Sequence, residues 1–174
     1  MKQIGSIIAD TATVGVRMAG RLTRDVPAER FDRLARVGDQ TIQSNHPAFV
    51  LGHLCLYPAE VLELLGQDPA ALQPPRGFET VFSKDAQCED DADGTLYPPS
   101  DEIVDFFNRS YETAQEAVRA ASDTQLTADN PQENPIQQFC PTLASLLNFY
   151  MVGHITVHLG QISAWRRREG MQPA

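Results

Sequence analysis

The sequence predicts an all-α protein, a four-helix bundle with a long irregular loop between its second and third helices. Apolar residues recur at helical spacing in four segments and almost nowhere alternate as a strand requires. Amphipathic helices of that length bury their apolar faces only by packing together, which implies a bundle. The 174 residues suit one domain over 1–174, with 42% hydrophobic and 21% charged residues and no low-complexity tract. A chain of this size needs neither disulfide nor metal merely to fold, so a bound metal would serve function.

The first helix covers about residues 5–23, with Ile7, Ile8, Val14, Met18 and Leu22 as its apolar face and Arg17, Arg21 and Arg24 as its wet side. A polar connection over 25–45 has room for one helical turn. The second helix starts at Pro47, whose missing N–H costs nothing at a first helical position. Val50, His53, Leu54, Tyr57, Val61, Leu64 and Leu65 form its stripe, and Gly66 offers a stop. Pro58 should kink it near Leu54, whose carbonyl loses its partner. Residues 67–99 are rich in Pro, Gly and acids and fold over the bundle; their acidic peak, CEDDADG at 88–94, reads as a solvated loop. The third helix, 100–122, has Ser100 as N-cap and Asp101 and Glu102 on the favourable end of its dipole. Its inner face is Ile103, Phe106, Phe107, Ser110, Tyr111, Ala114, Ala117 and Val118. The fourth runs from about 141 to 169 with a stripe of Leu143, Leu147, Tyr150, His154, His158, Gln161 and Trp165, closes at Gly170, and ends in a solvated arginine cluster, Arg166 to Arg168.

Charge narrows the partners. With 14 basic and 23 acidic residues the net charge is -9, a field that repels phosphate backbones and anionic lipid. Nucleic acid and membrane surfaces are therefore poor partners. No run of 18 apolar residues spans a bilayer, and the first 22 residues lack the apolar core of a signal peptide, so the expected location is the cytoplasm. Cys55, Cys88 and Cys140 are odd in number and widely spaced and suggest no disulfide framework.

The histidines carry the chemistry. His154 and His158 stand four apart on one helix, so their side chains project from one face. On an apolar stripe, two adjacent imidazoles need several hydrogen-bond partners, or one cation that satisfies both. His53 sits on the inner stripe of the second helix. One ligand from that helix and the pair from the fourth make a three-histidine set with a position left open, the arrangement of a catalytic rather than a structural metal site. His46, the fourth histidine, precedes Pro47 and reads as a residue at the mouth of the site, a proton shuttle or a hydrogen-bond donor to a ligand, or else as a helix cap.

NHPAFVLGHL at 45–54, followed far downstream by GHITVHLGQI at 153–162, resembles the DinB-like superfamily of metal-dependent proteins. The resemblance implies an up-down-down-up four-helix bundle, a homodimer, and a divalent zinc or nickel ion on His53, His154 and His158. It also implies a low-molecular-weight thiol as cofactor in those members that transfer thiols. Gly160 would then permit close helix packing, and Gln161 would hydrogen-bond near the site or the cofactor.

Such a site supports hydrolysis of a small molecule or thiol S-transfer. The zincin protease reading fails, because Ile155 stands where that motif's glutamate would be, and Val157 before His158 supplies none either. The acid–base candidates are His46, Tyr57, Tyr150 and Glu60; Tyr57 is four after His53 and Tyr150 four before His154. A metal- or ligand-binding stress-response protein without turnover, and a bundle whose histidines are merely hydrogen-bonded, are the alternatives.

Overall fold

A computed structural model describes residues 3–174; Met1 and Lys2, which open the segment read against a signal peptide, lie outside the described residues. The protein is mostly helical, with one small two-stranded sheet.

Helix α1 spans Ile4–Thr23 and buries Ile8, Ala9, Ala12, Ala19 and Leu22. The expected face is thus rotated: Ile7, Val14 and Met18 are exposed, at 65%, 63% and 38%. Alanines suit the buried side because α1 lies along helix α5 (Ser100–Ala120), where bulkier side chains would hold the two rods apart. The following connection contains the expected turn, a 3-10 turn at Ala28–Arg30, and also a hairpin that the sequence reading missed. Its strands β1 (Ala35–Val37) and β2 (Gln40–Ile42) pair antiparallel, and Gly38, at φ +59°, supplies the left-handed residue of the turn.

Helix α2 (Pro47–Leu54) begins as expected, and His46 caps it: its Nδ1 accepts the Phe49 N–H at 3.2 Å. The kink at Pro58 is a full break. The chain turns through Cys55–Tyr57 and resumes as α3 (Pro58–Leu64), while the Leu54 carbonyl accepts the Tyr111 hydroxyl at 3.2 Å. Residues 67–99 hold a 3-10 turn and one short helix, α4 (Phe78–Phe82), and are otherwise irregular. They are not a solvated strap. Phe78, Phe82, Cys88 and Tyr97 are buried, and so is Asp91, whose carboxylate accepts the backbone N–H groups of Thr95, Leu96 and Tyr97. Burial raises the Asp91 pKa, but these donors outweigh it and hold the carboxyl below the usual range. Asp90 accepts from the Arg33 guanidinium and the Leu34 N–H.

All eight residues of the expected inner face of α5 are buried. Its N-cap is Pro99, not Ser100, which occupies the first helical turn without capping it. A single turn, α6 (Asp123–Leu126), places the Asp123 carboxylate on the N–H groups of Gln3 and Ile4 at the start of α1. The last rod is α7 (Leu143–Asn148), a π-helical stretch at Phe149–His154, and α8 (Ile155–Arg168). A capping box of Thr142 and Ser145 opens it. Arg166 corrects the solvated-cluster reading: it is 3% exposed and grips Asp25 and the carbonyls of Leu22 and Gln172.

Helix α1 packs on α5 and α8, α2 on the same two, and α3 on α5, so the buried side chains form one contiguous cluster. Among the described residues no helix is long and apolar enough to cross a membrane.

His46 makes stability pH-dependent. Burial lowers its pKa from 6.5 to about 4, so the unfolded chain binds a proton that the folded one refuses. Its contribution is complete above pH 6.5 and is lost as pH falls through that value to about 4, some 3 kcal/mol in all. His46→Asn keeps a capping acceptor and removes the titration. Urea unfolding of the metal-free proteins should show wild type losing that much more stability than the variant between neutral pH and pH 4.

Candidate metal centre

The wide turn at Phe149–His154 sets which side chains of the last rod face inward. Beyond it the innermost stripe is Ile155, Leu159 and Ile162, at 0%, 5% and 0% exposure. His154, His158 and Gln161, expected on that stripe, lie beside it and are only partly buried. They form the edge of the core, where α2 presents His53, which is 7% exposed. One ligand atom from each of His53, His154 and His158 lies within 4.8 Å of the others.

The hydrogen bonds decide which nitrogens are free. His53 Nδ1 stands 2.8 Å from the Phe82 carbonyl, which can only accept; Nδ1 therefore carries the proton and Nε2 keeps its lone pair. His158 Nδ1 faces Gln161 Oε1 at 3.2 Å, and Asn45 Nδ2 donates to that same oxygen at 3.0 Å, so His158 too presents a bare Nε2. That atom lies 3.0 Å from His154 Nε2. A tetrahedral cation ~2.0–2.1 Å from each ligand holds its nitrogens about 3.3 Å apart, so the pair is already close to chelating geometry. His154 Nδ1 is buried without a hydrogen-bond partner. His154 is thus the one ring of the three whose tautomer no hydrogen bond to Nδ1 fixes, and coordination through Nε2 would place its proton on Nδ1.

The electrostatics agree. Burial, followed by the neighbouring His158 and His53 rings, lowers the His154 pKa to about 3; burial likewise lowers those of His53 and His158. All three rings are neutral at pH 7, the state in which imidazole ligates. The donor set, the tautomers and the spacing fit a divalent cation.

Of the other expected site residues, Tyr57 reaches the centre. Its hydroxyl is 3.2 Å from His53 Nε2 and its ring 4.4 Å from that of His154. Burial, then the Glu60 carboxylate, raises its pKa, so it stands protonated at neutral pH. The Tyr150 ring touches that of Tyr57, but its hydroxyl turns away to Glu60 and Gln132, 3.2 Å from each, and burial pushes its pKa up to about 12. His46 does not stand at the mouth of the site: it is fully buried, with Nδ1 on the Phe49 N–H and Nε2 on the Glu89 carbonyl at 3.0 Å. A Cβ on Gly160 would meet nothing within 4 Å, so this glycine does not serve close helix packing. Gln161, though off the innermost stripe, hydrogen-bonds near the site as expected, as the acceptor that orients His158.

The sequence reading overlooked Phe82 and Asn45, which fix two of the rings, and Gly52. A Cβ on Gly52 would come within 2.4 Å of the Phe82 ring, so this glycine lets α4 seat its carbonyl over His53. The G-H in NHPAFVLGHL was the available signal. Cys88, buried nearby, is pushed up to about 12 by burial and is no nucleophile at neutral pH.

No protein-family model matches the chain, and no curated protein matches it.

Replacing Gln161 with Leu removes the acceptor that holds His158 Nδ1. Cation affinity, measured by chelator competition, should fall about 10–100-fold while the far-ultraviolet dichroism stays that of the folded protein. Unchanged affinity would remove the orienting role.

Proposed function

We propose that this chain is a DinB-like metal protein: an up-down-down-up bundle that holds one divalent zinc or nickel ion on His53, His154 and His158 and acts on a small molecule. The convergence of the three imidazoles on one point, two of them with their Nδ1 atoms already engaged, is the observation that carries the reading. A divalent cation there supplies Lewis-acid chemistry, polarising the oxygen or sulfur that takes its open position.

The chain's own residues supply the rest. Phe82 and Gln161 hold two ligand rings in a single tautomer. Tyr57, protonated and within hydrogen-bond reach of the centre, donates to a substrate atom bound there. A cleft of about 600 Å³ opens on His53 and His158 and admits a small substrate from solvent. Hydrolysis and thiol S-transfer both use this set. A titratable hydroxyl at the centre favours either over a binding protein without turnover.

Protein purified without a nickel column should carry about one zinc or nickel ion per chain by elemental analysis. His158→Ala should abolish uptake and leave a folded bundle, because its core residues lie elsewhere. No ion in the purified protein, and none bound on addition, would end the metal reading; an unfolded His158 variant would make the ion structural. Metal-loaded protein offered a model electrophile with mycothiol, bacillithiol or glutathione, and separately simple esters and amides, should accelerate one class, and Tyr57→Phe should lower kcat more than it raises KM.

A further inference from the structure

The cleft beside the three histidines has a composition unlike the rest of the chain. His53 and His158 line it, together with the polar residues Gln43, Asn45, Ser83, Lys84 and Gln87. None of its lining residues is acidic, in a protein with 23 acidic side chains. Lys84 is one of only two lysines in the sequence; it is exposed and forms no ion pair among the described residues. Its place is fixed by the site itself. Phe82, two residues earlier, gives its carbonyl to His53, so the segment that orients the ligand also carries the cation into the cleft wall.

We infer that this cleft selects a small substrate bearing an anionic oxygen group, a carboxylate or a phosphate, seated on Lys84 with the reacting atom toward the three histidines. The inference rests on the metal reading for the reacting end. Three neutral imidazoles leave the charge of a divalent ion uncompensated, and no carboxylate of the cleft wall offsets it. The site is therefore a positive focus inside a chain of net charge -9, which draws anions to this face and to few others. The free oxygens of Gln43 and Asn45 supply acceptors, since the amide nitrogen of Gln43 is engaged with the Cys88 carbonyl and that of Asn45 with Gln161. The favoured molecule pairs its anion with an N–H or O–H donor.

The test uses matched probes followed by protein amide shifts in NMR titrations: N-acetylglycinate, its uncharged amide, and glycerol 3-phosphate. Metal content is measured on the same samples, and each titration is repeated on chelator-treated protein. The carboxylate should bind about fivefold more tightly than the amide in wild type, a preference that added salt weakens and that Lys84→Gln abolishes. Lys84 is exposed and forms no ion pair among the described residues, so its variants should fold as wild type does. Tighter binding of the phosphate than of the carboxylate, again lost in Lys84→Gln, supports the seat and fixes phosphate as its anion. Equal binding of carboxylate and amide, no binding of any probe, or a preference that survives in Lys84→Gln overturns it. If the protein takes up no ion, the metal reading fails by itself, and the chelator-treated titrations still decide for or against Lys84.

Discussion

The hydrogen bond from His53 Nδ1 to the Phe82 carbonyl ties the long connection to the helix that carries a ligand, along a seam where α2 packs on α4. His53 belongs to a buried helix, Phe82 to the last turn of a five-residue helix in the long connection. Neutral imidazole has one proton to place, and placing it on Nδ1 commits Nε2 to the space shared with His154 and His158. Phe82 can hold that position because its ring is fully buried against Gly52 and stacks on Tyr97. Tyr97 in turn accepts the Glu89 N–H on its hydroxyl oxygen and packs on His46. The connection over 67–99 is thus a structural wall of the site, and its order reaches the centre through one carbonyl.

How much of this was legible in the sequence varied with the physics of each segment. Helix α5 was readable residue by residue, since one face is aromatic or aliphatic and the other charged. Helix α1 was not: its buried face relies on Ala9, Ala12 and Ala19, and the larger Ile7, Val14 and Met18, which dominate any hydrophobic pattern, point to solvent. Strands of three residues are too short to show alternation, although Gly38-Asp39 between them was a turn signal. Asp90 and Asp91 looked solvated because the partners that hold them, Arg33, Leu34 and the backbone at 95–97, are set by tertiary structure or by a local turn rather than by charge pattern.

The site itself was half visible. Periodicity put His154 and His158 on one face, and counting histidines on inner stripes brought in His53. The position of His46 before Pro47 offered the cap that the structure shows, but not its burial or the bond to the Glu89 carbonyl that spends its second nitrogen on the backbone as well. Nor could spacing show Asn45, Phe82 and Lys84, which act through loop positions that carry no period. Tyr57 and Tyr150 had equivalent offsets from a histidine, yet the break at Pro58 and the pull of Glu60 and Gln132 send their hydroxyls to different places.

The π-wound stretch from Phe149 to His154 makes chain length itself part of the centre. A π turn takes up one residue more than the α turn it replaces, while the capping box upstream and the Arg166 anchor downstream fix both ends of the rod. Each residue of an α-helix advances about 100° around the axis. Loss of a single position from the part of this stretch before His154 would let it rewind into regular helix with both imidazoles still facing His53. The extra residue is a reserve of length: a one-codon deletion before His154 is absorbed there, whereas one between His154 and His158 would change their spacing and break the pair without touching a ligand.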